Sequence, residues 1–170
     1  RAAAYNWQCR HVGLPVGTTS IQLDLADAST NFNLITSLGT TTTFSLNDNI
    51  QVNGSSANTY VAYLFATRAG ISKVGSYSGN GSTQTINCNF TTGARFILIK
   101  RTDSAGDWFV WDSARGIAAG NDPHLSLNTT AAEVTSDDSI NPDNSGFVVN
   151  QVAATNINVT SATYIYLAIA

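Results

Sequence analysis

Two histidines, two cysteines and one acidic stretch are the residues of this chain whose types could carry out chemistry. His11 and His124 stand near Pro15 and Pro123, and neither adjoins a serine or cysteine in a nucleophile signature. Both therefore read as exposed loop histidines. Only a Ser-His-Asp triad assembled from distant parts of the chain would change that. Cys9 and Cys88 have no His or Cys neighbours at metal-ligand spacing, so they make no zinc site, and their pairing stays open. Glu133, Asp137, Asp138 and Asp143 cluster in a Ser- and Asn-rich stretch. Paired carboxylates can serve a glycosidase, and hard oxygen ligands can hold calcium. Asp137, Asp138 and Asp143, with Asn141, are the candidate Ca²⁺ ligands, although no EF-hand spacing is present and a solvated turn is the simpler reading. Trp108, Trp111, Asp112 and Arg115 form a tighter group. Trp108 and Trp111 have opposite parity on a strand, so one can enter the core while the other stacks on a sugar. Trp108, Asp112, Arg115 and Tyr77 are the candidate ligand-binding residues; the alternative is a core tryptophan and an ion-paired arginine.

These side chains need a scaffold, and the composition says which kind. Only 11% of residues are charged, well below the usual share, while Ser, Thr and Asn make up about a third. Short hydroxyl and amide side chains suit strands and turns, whereas the helix formers Lys and Glu occur only at Lys73, Lys100 and Glu133. The chain is predicted to be all-β. A net charge of −3 and no basic cluster beyond Lys100-Arg101 argue against a nucleic-acid partner. The longest apolar runs, Tyr60–Ala66 and Tyr164–Ala170, have strand length and cannot span a bilayer. Met is absent, even at position 1, which predicts a processed or partial piece of a longer polypeptide. Sequons at Asn53, Asn80, Asn89, Asn128 and Asn158 follow largely from composition.

Strands are predicted at Lys73–Tyr77, Thr83–Phe90, Phe96–Arg101, Trp108–Asp112, Leu125–Leu127, Gly146–Gln151 and Thr163–Ile169. Turn-forming stretches such as Ser78–Gly81 and Asn141–Gly146 separate them. Earlier strands are predicted at Gly17–Leu25, Thr41–Leu46, Ile50–Val52 and Thr59–Ala66. Thr59-Tyr60 recurs as Thr163-Tyr164, Trp7 as Trp111, and Ile21 and Leu23 as Leu125 and Leu127, all 104 residues apart; Phe44 matches Phe147 at 103. The chain thus reads as tandem antiparallel β-sandwich modules of jelly-roll or lectin-like type. Residues 67–170 form a complete module and residues 1–66 only the later part of one. Tyr164, Ile165, Tyr166, Leu167 and Ile169 are apolar at both parities, predicting a strand buried on both faces and central to assembly. The partial module lacks a counterpart of Phe96–Lys100, so it should be completed by a neighbouring chain or by upstream sequence.

Gly70–Ser82, Phe96–Trp108, Trp111–Gly116, Asn128–Glu133, Ser145–Phe147 and Thr163–Ala170 together resemble an uncharacterised module of tailed-bacteriophage structural proteins, common in marine and cyanobacterial phages. Trp7–Leu14 and Asn53–Ala66 resemble the later half of that module. The resemblance implies a lectin-like sandwich in a tail, fibre or capsid-surface protein, without known catalytic residues. The expected function is a non-enzymatic virion component at the virion surface or outside the cell, assembling with copies of itself and other virion or filament proteins. The alternatives are a module that binds host-surface glycans and a subunit of a cellular extracellular filament. No cofactor is expected beyond the candidate calcium, and no membrane partner.

Overall fold

The computed structural model describes residues 5–15, 19–38, 40, 42–54 and 57–170. Thirteen strands and no helix appear among them, and the all-β reading holds. In the second part of the chain, β6 (Ser72–Ser78), β8 (Phe96–Arg101), β9 (Trp108–Asp112), β10 (His124–Ser126) and β13 (Thr163–Ile169) make a five-stranded sheet in the order β10-β9-β8-β13-β6. Strands β7 (Gln84–Asn87), β11 (Ile140–Asp143) and β12 (Gly146–Val149) make a second sheet, ordered β11-β12-β7. All their pairings are antiparallel. Ile97, Ile99, Phe109, Trp111, Tyr164 and Tyr166 from the larger sheet meet Ile86, Ile140, Phe147 and Val149 from the smaller one in a single apolar core. That is a β-sandwich.

Strand β13 is the spine of the larger sheet, pairing with β6 from Thr163↔Ser78 to Ile169↔Ser72 and with β8 from Tyr164↔Arg101 to Ile169↔Phe96. The ring of Tyr166 lies over its cross-strand partner Gly75, where an added Cβ would sit 2.5 Å from the tyrosine hydroxyl. A glycine is needed there because a larger residue would push the ring out of the core. Pro142 falls inside β11, which the turn-rich composition hid from the sequence reading. Proline is tolerated because β11 is an edge strand whose outward N–H has no ladder partner to lose.

The first part of the chain is less regular. β1 (Gln8–Cys9), β2 (Thr19–Gln22) and β3 (Thr30–Asn31) form a small sheet, and β4 (Ile35–Ser37) pairs with β5 (Ser45–Leu46). Gly17, Thr18 and Thr41, at the ends of predicted strands, lie outside the described residues. Two predicted strands are absent: residues 50–52 form a turn, and residues 58–67 carry no strand pairing among the described residues. The β1–β2 hairpin packs Leu14 and Ile21, with Cys9 and Leu23 beside them, on the outer face of the five-stranded sheet against Trp108, Ile165 and Leu98. Lys100 spans the same junction, its fully buried Nζ donating to the carbonyls of Ala26 and Arg101. Burial lowers its pKa to about 8, against the opposing pull of Asp107 and Asp27. β13 is consequently covered on both faces.

Candidate assembly surface

None of the residues singled out for small-molecule chemistry forms an open site. Trp108 is buried beneath the β1–β2 hairpin, and its Nε1 donates to the Gln22 carbonyl at 2.8 Å. Trp111, at opposite parity, lies in the sandwich core. Neither tryptophan offers a face for sugar stacking. Tyr77 stacks on Tyr164 at 4.9 Å and donates to the Ile157 carbonyl at 2.6 Å. Asp112 and Arg115 do meet, as an ion pair at the exit of β9, and Arg115 Nε also reaches Glu133 at 3.0 Å. Tyr77, Trp108 and the Asp112–Arg115 pair therefore do not converge on one ligand position: Tyr77 packs on the core side from β6, Trp108 lies under the hairpin on the other face, and the ion pair sits at the far end of β9.

The candidate calcium set is likewise dispersed. Asp143 accepts from the amide and hydroxyl of Ser145 in the turn after β11. Asp138, at the other end of β11, accepts from Asn150 Nδ2, and Asp137 points at His124. The length of β11 separates them, and no group of three or more His, Cys, Asp or Glu among the described residues is placed to hold a metal ion. The histidines also differ from the expectation of exposed loops. His124 is buried in β10 against Phe109 and Trp111, its Nδ1 3.5 Å from Asp137 Oδ1. His11 is partly buried, with Nε2 3.2 Å from the Tyr166 carbonyl. Both thiols are free.

Beside His124, the fully buried Asp122 accepts from the amides of Ile140 and Ala118. Burial raises its pKa to about 6, helped by the charges of Asp138 and Asp137 and opposed by those two amides. A carboxyl that binds its proton more tightly folded than unfolded adds stability below its unfolded pKa of about 4, and that stability is lost as pH rises through about 6. The urea midpoint is expected to fall between these two pH values. Asp122→Asn should shrink that fall; an unchanged pH dependence in the variant would assign it to another group.

The large apolar side chains that are exposed lie mostly in the first part. In the extended segment 58–67, Val61, Tyr63, Leu64 and Phe65 are 66%, 70%, 73% and 62% exposed. At an offset of 104 residues they correspond to Ile165, Leu167, Ala168 and Ile169 of β13, of which the first three are at most 8% exposed. The chain approaches the two segments in the same way. Tyr60 Oη donates to the Ile50 carbonyl and accepts from Gly54 N; Tyr164 Oη donates to the Asn156 carbonyl and accepts from Val159 N.

Further hydrogen bonds recur between the two parts. Ser20 pairs with Thr30 as His124 pairs with Val134, and Ile35 with Leu46 as Ile140 with Val149. The side chain of Asn47 donates to the Asn33 carbonyl as that of Asn150 does to the Asp138 carbonyl. Trp7 N donates to Asp24 Oδ1 at 2.9 Å, and Trp108 N to Asn128 Oδ1 at 2.8 Å. This last pair corrects the sequence alignment: the partner of Trp7 is Trp108, not Trp111. The cause is a shorter hairpin loop, since Cys9 faces Ile21 where Val110 faces Leu125. Trp108 is covered, whereas Trp7 is half exposed and stacks on Tyr63 at 6.1 Å.

The strand singled out for assembly is therefore spent inside the chain. Tyr164, Ile165, Tyr166, Leu167 and Ile169 have both edges of β13 already paired. Its counterpart, residues 59–66, has neither edge paired among the described residues. Fold and surface together define an all-β sandwich domain in which one side is closed and the other leaves strand edges and apolar side chains uncovered. The chain belongs to a family described as a domain of unknown function, DUF7483, whose profile matches residues 1–170. No curated protein and no solved structure matches it.

Proposed function

We propose that this domain is a non-enzymatic structural module of a virion, a component of a fibre, tail or capsid decoration, that assembles with neighbouring subunits through β-sheet edges and apolar faces. The observation that carries this reading is the open segment 59–66, with four large apolar side chains in contact with solvent. Exposed apolar clusters and unpaired extended backbone invite pairing with another chain. β-Augmentation supplies affinity through the main chain and specificity through alternate side-chain pockets. The virion setting rests on the resemblance of these sequence motifs to those of phage structural modules; a cellular extracellular filament would use the same surface.

Sedimentation across a concentration series tests the assembly. The chain is expected to self-associate or to capture its virion partners, and Val61→Ser/Tyr63→Ser/Phe65→Ser together should abolish this without altering the far-UV CD spectrum. A wild-type chain that stays monomeric and partner-free at high micromolar concentration would sink the proposal.

A further inference from the structure

We infer that the surface left open around residues 59–66 receives the amino-terminal half of another module of this same kind, a three-stranded segment equivalent to Thr67–Ser104. This inference rests on the assembly reading and names its partner. The second part of the chain displays what covers each equivalent position. There β13 is flanked by β6 on one side and β8 on the other, β9 receives β8, and β12 receives β7. In the first part the counterparts of β13, β9 and β12 are residues 59–66, β1 and β5. The missing neighbours of all three are the equivalents of β6, β7 and β8, which are consecutive in sequence. One continuous segment thus supplies all three missing neighbours at once, whereas an unrelated strand could supply only one.

The register follows from the closed side. The β8-type strand would run antiparallel to residues 60–65 as Arg101–Phe96 runs along Tyr164–Ile169. The β6-type strand would take the opposite edge as Ser78–Ser72 does, and the β7-type strand would reach Phe44 and Leu46 as Ile86 and Gln84 reach Phe147 and Val149. The partner strands should present alternating apolar residues to this surface, since it offers Val61, Tyr63, Leu64 and Phe65 and has no acidic or basic side chain between Tyr60 and Ala66.

The test adds a synthetic polypeptide with the sequence Thr67–Ser104 to the full chain and follows amide hydrogen exchange by residue. Residues 60–65 should become protected by at least tenfold. Val61→Pro, which removes a ladder N–H, should abolish that protection while leaving β13 protected. In a second arm the same sequence is joined ahead of Arg1; the amides of residues 60–65 should then be protected without added peptide, and Trp7 emission should shift to the blue. If neither arm protects residues 60–65, the inference is overturned. Self-association lost in Val61→Pro but indifferent to the segment would leave the assembly reading standing with a different partner; no self-association and no protection would remove both.

Discussion

A chain ending at Ala162 is expected to lose its cooperative fold altogether. The missing residues include β13, which joins β6 to β8 in the middle of the five-stranded sheet. Tyr164, Tyr166 and Ala168 point into the sandwich core, and Ile165 packs beneath the β1–β2 hairpin on the other face. Removing the strand unpairs two neighbours, opens both apolar layers and frees the loop that Tyr164 Oη ties through Asn156 and Val159. Each large buried side chain alone stabilises by about 2–4 kcal/mol, and a domain's net stability is about 5–15 kcal/mol, so the loss exceeds what the rest can supply. Near-UV CD and a two-dimensional amide spectrum should show loss of fixed packing. A dispersed spectrum from the truncated chain would mean that β13 is an addition to the fold rather than its spine.

The second large effect is a contrast between two tryptophans that make the same backbone hydrogen bond. Trp108→Ala should cost about 3–5 kcal/mol, because the indole is buried at the junction of the two parts and its Nε1 holds the Gln22 carbonyl. Trp7→Ala should cost about 1 kcal/mol or less in the isolated chain, since its half-exposed ring loses little beyond the stack on Tyr63. Urea denaturation of both variants measures the difference. Equal costs would show that Trp7 is covered in solution, for instance by self-association, and repeating the experiment at several protein concentrations would reveal it.

The buried histidine shows where local reading stops. The sequence before His124 has the look of a loop, with Gly120, Asn121, Asp122 and Pro123 leading up to it and the predicted strand starting only at Leu125. Burial comes instead from Phe109 and Trp111 on the neighbouring strand and from the antiparallel bridge to Val134. The misassigned calcium ligands have a similar origin. Asp137, Asp138 and Asp143 are close in sequence, but an unforeseen strand between them draws the chain out straight.

Much of the architecture was nonetheless determined by the sequence alone. Seven strands of the second part are legible because alternation with period two and turn residues act over a few neighbouring positions. The repeat is legible because equivalent positions keep similar side chains. The tertiary structure alone decided that Trp7 corresponds to Trp108, that the hairpin of the first part covers Trp108, and that residues 59–66 find no strand partner among the described residues while β13 is enclosed. These are consequences of contacts between residues far apart in the chain. The same extended apolar sequence becomes a core strand or an open edge according to which strands lie beside it, and nothing within the segment itself records that.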